Sequence, residues 1–359
     1  MTPRERVEAA LRGELANKVP VVAFADQLPR SAVERRLRNS GLCLVRRDPA
    51  VHRTVYTQVR EQEVRWRDQG RAFVRHEVNT PVGALSEVEE LGPDGTSWHV
   101  ERLFKSPDDY QALRAMVDDQ HYEPNYDEFL RVEAMVGPDF LLRPEIGYSP
   151  LHEIMYSIMG LERFAEEWAT RRDEVLRLYD CLVANRRRLY PVVAASPALL
   201  VNYCGNVSPE VVGLKRFEEY YLPHYDEFAA AMHERGKLVS VHLDTNTWLF
   251  EEQIGVSQID CIEAFTPPPV CDMSVAHARS VWHDKVLWVS LPSMSLAGPP
   301  AEVEAETRQL LREAASGIRF MLGFTELLPS APWQEGLLTV MRTVNAVGQL
   351  PLSVAVSAA

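Results

Sequence analysis

From residue 139 onward, short and almost uninterrupted apolar runs alternate with longer stretches of helical periodicity. The runs cover 139–146, 197–204, 237–243, 258–265, 285–291 and 318–324. Each is short for a helix and lacks the polar alternation of a half-exposed strand. That combination suits strands buried on both faces of a parallel sheet. Helical patterns fill the spaces, over 151–188, 210–235, 248–254, 274–282, 301–316 and 332–347. Pro223 is expected to break the second of these and Gly236 to cap it. Ser274 or Asp272 is the expected cap of the fourth. Two earlier runs, 18–25 and 41–47, bring the strand count to eight. Eight strands alternating with helices predict an α/β fold of the (β/α)8 barrel type, a TIM barrel. An open doubly wound sheet is the rival, and no GxGxxG or Walker-type phosphate loop supports it.

The segment from about 50 to 105 breaks this alternation. It holds a strand over 74–78, a turn at Thr80-Pro-Val-Gly83, a second turn at Glu90-Leu-Gly-Pro-Asp-Gly95 and an alternating run over 98–104. An antiparallel β insertion follows, a candidate cover for an active site. The expected organisation is one barrel domain over 1–359 with this insertion inside it.

Composition adds little to that picture, whereas charge narrows the partners. With 46% hydrophobic and 25% charged residues the chain reads as an ordinary globular enzyme. The net charge of −13 argues against nucleic acid as a partner. Residues 1–75 are the exception, with 16 Lys/Arg against 9 Asp/Glu. Arg30, Arg35, Arg36, Arg38, Arg46 and Arg47 form either a solvated helical face or a clamp for an anionic substrate or an acidic partner protein. No apolar run reaches about 18 residues, so no membrane helix is expected. The N-terminus lacks an apolar signal core, which makes the cytoplasm the expected location. Cys43, Cys181, Cys204, Cys261 and Cys271 are widely spaced and odd in number, which fits reduced, mostly buried thiols.

The candidate chemistry lies where the apolar runs end. In Lys237-Leu-Val-Ser-Val-His-Leu-Asp-Thr-Asn246, His242 and Asp244 are two apart and share a strand face. Glu263 ends the next run and Glu326 follows a later one. Polar groups at successive strand ends are how a parallel barrel builds a site. An imidazole with carboxylates from separate elements suits zinc, iron or manganese. The alternative is a hydrogen-bonded histidine with its acids paired to arginines. Asn202, Tyr203 and Cys204 end the preceding run; Asn202 and Tyr203 are candidates for binding a substrate. Glu145, in Arg143-Pro-Glu-Ile-Gly-Tyr148, is a candidate general acid. Cys261 shares a face with Glu263 and reads first as a buried structural thiol. His152, His224 and His233 read as surface or packing residues, and Trp282, Trp288 and Trp333 as core. Pro267-Pro-Pro269 is expected to stiffen the loop behind Glu263.

Two segments resemble the uroporphyrinogen decarboxylase superfamily. One is the opening, Thr2-Pro-Arg-Glu-Arg-Val-Glu-Ala-Ala-Leu-Arg-Gly-Glu14 followed by Lys18-Val-Pro20; the other is 236–246. The resemblance implies a (β/α)8 barrel. Decarboxylases of that superfamily carry Trp-x-Met-Arg-Gln-Ala-Gly-Arg after the first Val-Pro. Here Val19-Pro20 leads into Val-Val-Ala-Phe-Ala-Asp-Gln-Leu-Pro-Arg30, so the motif is absent. The chain looks more like the methyl-corrinoid:thiol methyltransferase branch, related to the cobalamin-independent methionine synthases. Their zinc site is His-x-Cys, a Glu in the synthases, and a later Cys. By that resemblance His242 matches the His, Asp244 the first Cys position, Glu263 the Glu, and Glu326 the last Cys. Carboxylates in place of thiolates imply a harder site.

The first expectation is therefore a metal-dependent enzyme that moves a methyl or other one-carbon group on a small molecule. Zinc is the favoured ion, and a corrinoid protein is a candidate partner. The second is a decarboxylase or lyase acting on an anionic small molecule without metal. The third is a non-catalytic subunit that binds a small molecule or a corrinoid protein.

Overall fold

Each of the eight apolar runs forms a parallel strand in the computed structural model, which describes residues 1–92, 96–314, 316–329 and 332–352. We label them β1 (Val21–Phe24), β2 (Leu42–Arg46), β3 (Phe140–Leu142, resuming as Glu145–Tyr148), β4 (Leu200–Cys204), β5 (Leu238–His242), β6 (Cys261–Phe265), β7 (Val286–Ser290) and β8 (Phe320–Phe324). β1 pairs in parallel with both β2 and β8. The two outermost segments of the sheet are the halves of β3, separated only by Arg143-Pro144. The ladder runs across that break on both sides. Arg143 N–H donates to Arg46 O at 2.8 Å, and Asn202 N–H donates to Pro144 O at 3.0 Å. The ring is thereby closed, as an eight-stranded barrel requires.

The chain divides into two compact units. One comprises Met1–Val51, Asn125–Gly147 and Ser196–Ala359; the other comprises His52–Pro124 and Tyr148–Ala195. The first holds the barrel. Strands β6, β7 and β8 are buried at all five positions, which accounts for their unbroken apolar character. Val22, Phe24, Cys43, Val45, Leu141, Leu200, Cys261, Val286, Trp288 and Met321 form one cluster, to which β1, β2 and β7 each contribute alternate residues. Val7 and Leu11 join it from the helix Pro3–Arg12. That helix starts where the sequence dictates. Thr2 accepts from the Glu5 N–H, Glu5 accepts from the Thr2 N–H, and Pro3 occupies the first turn.

The helices of this unit differ from expectation in detail. The 210–235 pattern is three helices, Pro209–Val212, Leu214–Tyr220 and Leu222–His233. The breaks fall at Gly213 and Tyr221, and Pro223 sits in the first turn of the third, where its missing N–H costs nothing. Ser274 caps Val275–Val281 by accepting from the His277 N–H. Asp272 instead accepts from the Thr247 and Trp248 N–H groups.

The second unit contains the expected antiparallel strands: Arg60–Asp68, Arg71–Thr80, Gly83–Leu91 and Ser97–Glu101 form a four-stranded meander. The Thr80–Gly83 turn is closed by Thr80 Oγ1, which donates to Gly83 O at 2.7 Å. Residues 93–95 of the second expected turn lie outside the described residues. His52–Tyr56 pairs with Gln120–Pro124 in a separate ribbon. Helices Asp109–Asp118, Leu161–Thr170 and Arg172–Ala194 also belong to the unit, the second of them preceded by a seven-residue π-helix at Glu153–Met159.

One close approach shapes the barrel interior. Trp288 is buried on β7, and an added Cβ at Gly323 of β8 would lie 2.1 Å from its Nε1. Glycine is needed there because the indole occupies the space. Gly323→Ala should therefore lower stability by about 1–3 kcal/mol, the usual cost of overpacking, in urea unfolding. The loss should shrink in a Trp288→Phe background, and equal losses in both backgrounds would show that the indole is not the obstacle.

Candidate functional site

Strand parity and register assemble the site. On β5, Ser240 and His242 face the interior; on β6, Cys261 and Glu263 do. Register pairs Ser240 with Cys261 and His242 with Glu263. Next to Glu263 the β6–β7 register shifts, and Ala264 adopts φ 63°, a left-handed backbone that costs a non-glycine residue about 1–2 kcal/mol. A bulge of this kind re-aims the neighbouring side chain. It is held by the Leu243 N–H, which donates to Glu263 O at 2.9 Å, and by Thr266 Oγ1, which donates to Ala264 O at 2.9 Å.

His242 is the centre of the site. Its Nδ1 lies 2.6 Å from Glu263 Oε2 and its Nε2 lies 3.3 Å from Asp244 Oδ2. Glu263 is fully buried, and its Oε1 has no hydrogen-bond partner. Asp244 Oδ1 is likewise buried and unpartnered. Burial works against a charged imidazole, but the Glu263 and Asp244 carboxylates outweigh it, and the His242 pKa is pushed up to about 10. Burial alone would raise Glu263; the charges of His242 and Arg143 hold it below the usual carboxylate value.

Around this centre stand groups from five other strands. Arg143, buried on β3, donates from Nη2 to Glu145 Oε1 at 3.0 Å. Its guanidinium carbon lies 5.2 Å from the Phe24 ring centre and 5.8 Å from that of Trp288. Arg47, just past β2, lies over the same Phe24 ring at 4.7 Å and pairs with Asp26. The charges of Glu145 and Glu263 both act on it. On β4, Asn202 Oδ1 accepts from Ser240 Oγ at 2.7 Å.

The expected site residues thus fall into groups. His242, Asp244 and Glu263 are together. Glu145 is on Arg143, and Asn202 faces the interior beside Ser240. Glu326 accepts from the Ser293 N–H at 2.9 Å, and its charge, with that of Asp244, acts on Cys271. Tyr203 is not at the mouth: its ring packs against Tyr225 and Phe228 of helix Leu222–His233. Adjacent strand residues point to opposite faces, so Asn202 inward puts Tyr203 outward. Cys261 is buried in the apolar cluster, and burial pushes its thiol well above the ordinary value. Of the six clustered arginines, Arg38 pairs with Glu34 and Asp139, Arg46 pairs with Asp48, and Arg30, Arg35 and Arg36 are exposed. Arg47 alone of the six meets Phe24 and the acids Glu145 and Glu263. Arg143, the cation next to Glu263, was not singled out from the sequence, although it lies two before Glu145 on one strand face.

A metal ion fits part of this arrangement. With Nδ1–H donating to Glu263, His242 Nε2 and Asp244 Oδ2 are spaced about as two donors on a tetrahedral ion at roughly 2.0–2.1 Å. Glu263 then takes the role of the outer carboxylate that orients a ligating histidine. Among the described residues no three His, Cys, Asp or Glu side chains are arranged to hold an ion together. Water or substrate would have to complete the shell.

Without an ion, the pH dependence has a defined sign. The His242 proton affinity is higher folded than unfolded, where the pKa is about 6.5. Its contribution to stability is then complete below about pH 6 and fades as pH rises through about 10. In chelator-treated protein, the gap in urea midpoint between the native chain and His242→Gln should narrow steadily over that interval. A gap that widened toward alkaline pH would contradict the pairing.

Comparison with known proteins places the chain. A sequence model of the family described as uroporphyrinogen decarboxylase (URO-D) matches residues 94–346. No curated protein matches by sequence. Among solved structures, a methyltransferase from Methanosarcina mazei superposes with a TM-score of 0.59 at 14% identity, over 96% of this chain and 99% of that one. A GH18 chitinase, ChiB, from Flavobacterium johnsoniae gives a TM-score of 0.37 at 10% identity, over 64% and 82% of the two chains. The chain belongs to the uroporphyrinogen decarboxylase family.

Proposed function

We propose that this member of the uroporphyrinogen decarboxylase family is an enzyme acting at the C-terminal mouth of its barrel. We take the reaction to be transfer of a methyl or other one-carbon group to or from a small molecule. The observation that carries the proposal is His242 held between Glu263 and Asp244 where β5 and β6 end. Strand ends at that face are where barrels of this architecture do chemistry. The fold shared with a methyltransferase is compatible with the reading.

His242 Nε2 and Asp244 are the residues that would hold a divalent ion, zinc first, iron or manganese next. Such an ion supplies Lewis acidity, polarising a donor or acceptor atom of the substrate. The chain's own residues do the rest. Glu263 fixes the plane of the His242 ring by accepting from Nδ1. Arg143 and His242 together compensate the buried Glu263 charge. We take Glu145, partly exposed on Arg143, as the group that exchanges a proton with a bound molecule. A corrinoid protein remains the proposed source or sink of the methyl group.

One observation favours a second reading. Both ring nitrogens of His242 face carboxylates, which without an ion makes the ring a proton donor. A metal-free decarboxylase or lyase acting on an anionic molecule would use it so.

Metal analysis separates the two. Protein purified without chelator should carry about one equivalent of ion. His242→Ala and Asp244→Ala should lose it, Glu263→Gln should bind it about 10–100-fold more weakly, and Glu326→Gln should keep it. Full metal content in His242→Ala would sink the assignment. A metal-free native chain would leave the second reading. Demethylation of free methylcobalamin, followed by absorbance with small acceptors present, tests the one-carbon step itself.

A further inference from the structure

The mouth of the barrel holds hydrogen-bond donors that the chemistry above leaves unused. Arg143 is 1% exposed, yet its Nε and Nη1 have no hydrogen-bond partner. The indole Nε1 of Trp288, also fully buried, has none either. An unpaired buried donor is costly, and more so when it is charged. Three such groups on neighbouring side chains therefore need an explanation. The guanidinium packs against both the Phe24 and Trp288 rings, whose centres are themselves 5.9 Å apart, and the indole is fixed by its close approach to Gly323.

The acid on Arg143, which also accepts from the Cys204 thiol, is the more exposed member of the pair. Glu145 meets the guanidinium through a single nitrogen at 3.0 Å, and its side chain is 28% exposed against 1% for Arg143. Turning Glu145 outward returns a carboxylate to water, whereas Arg143 has no such path. An incoming carboxylate that replaced Glu145 would leave the local charge unchanged. It would also offer a second oxygen to the unpaired N–H groups. Arg47, over the same Phe24 ring, adds a second positive charge at the more exposed level.

We propose that Arg143 is the receptor for a carboxylate of the substrate, and that Glu145 is a latch occupying the receptor until that carboxylate displaces it. The inference rests on the preceding section only in placing the substrate at this mouth. Arg143 is here a specificity-determining residue, and the proposal makes the substrate class a small carboxylic acid. This moves the anion-binding role expected of the clustered arginines to a residue outside that cluster.

Binding of benzoate and acetate to the full chain, against benzamide and acetamide at fixed ionic strength, tests this without turnover. Calorimetry and thermal shift are the readouts. The native chain should bind the acids and not the amides. Glu145→Gln should bind benzoate about tenfold more tightly, because a neutral amide holds the guanidinium less strongly than a carboxylate. Arg143→Lys should bind it about tenfold more weakly, since the amine lacks the fork of donors. Arg143→Met, if it folds, should not bind it. Acids bound no better than amides by both the native chain and Glu145→Gln would overturn the proposal. So would unchanged affinity in Arg143→Lys. Benzoate binding retained in His242→Ala would establish the receptor even if one-carbon transfer fails, and the metal analysis tests that reading separately.

Discussion

An ionised carboxylate with no exposure to water is the constraint around which this barrel mouth is organised. Glu263 is that group. Desolvating a carboxylate costs several kcal/mol unless opposite charge and hydrogen bonds surround it. His242 supplies the hydrogen bond from the next strand, and Arg143 supplies a second positive charge from β3. Each of these carries a further partner, Asp244 on His242 and Glu145 on Arg143. The polar arrangement therefore spreads outward from one buried acid, becoming more exposed toward the rim. The bulge at Ala264 belongs to the same arrangement, because it sets the local backbone from which Glu263 departs.

The apolar side of the mouth answers a different constraint. A guanidinium buried among strands needs faces that tolerate charge, and two aromatic rings provide them. The Trp288 ring can lie there because β8 presents a glycine rather than a side chain. A residue with no chemistry of its own, Gly323, thus decides whether the cation beneath the site has its support. Stability and binding are linked at this level of the barrel.

Much of the fold was legible in the sequence because the barrel strands are buried on both faces and so read as unbroken apolar runs. The break at Arg143-Pro144 was not legible, since a strand that pauses and resumes has the same composition as one that continues. The helices 148–195 group with the β meander rather than with the barrel strands, and periodicity carries no information about such grouping. His242 and Asp244 were found because two-residue spacing fixes a common face. Strand parity held two more lessons. It excludes Tyr203 from the interior once Asn202 faces it, and it puts Arg143 on the same face as Glu145. Which strand end meets which depends on register. Glu326 therefore looked equivalent to Glu263 along the chain, although Ser293 engages it instead.

The central claim is that His242 bridges Glu263 and Asp244 through its two ring nitrogens. The most direct measurement is the 15N spectrum of the His242 ring in chelator-treated protein. Both nitrogens should carry protons at neutral pH and keep them well above the ordinary histidine range, with the Nδ1 signal moving in Glu263→Gln. A ring that lost a proton near pH 6.5, as a solvated histidine does at about that value, and ignored the loss of the Glu263 charge would contradict the account.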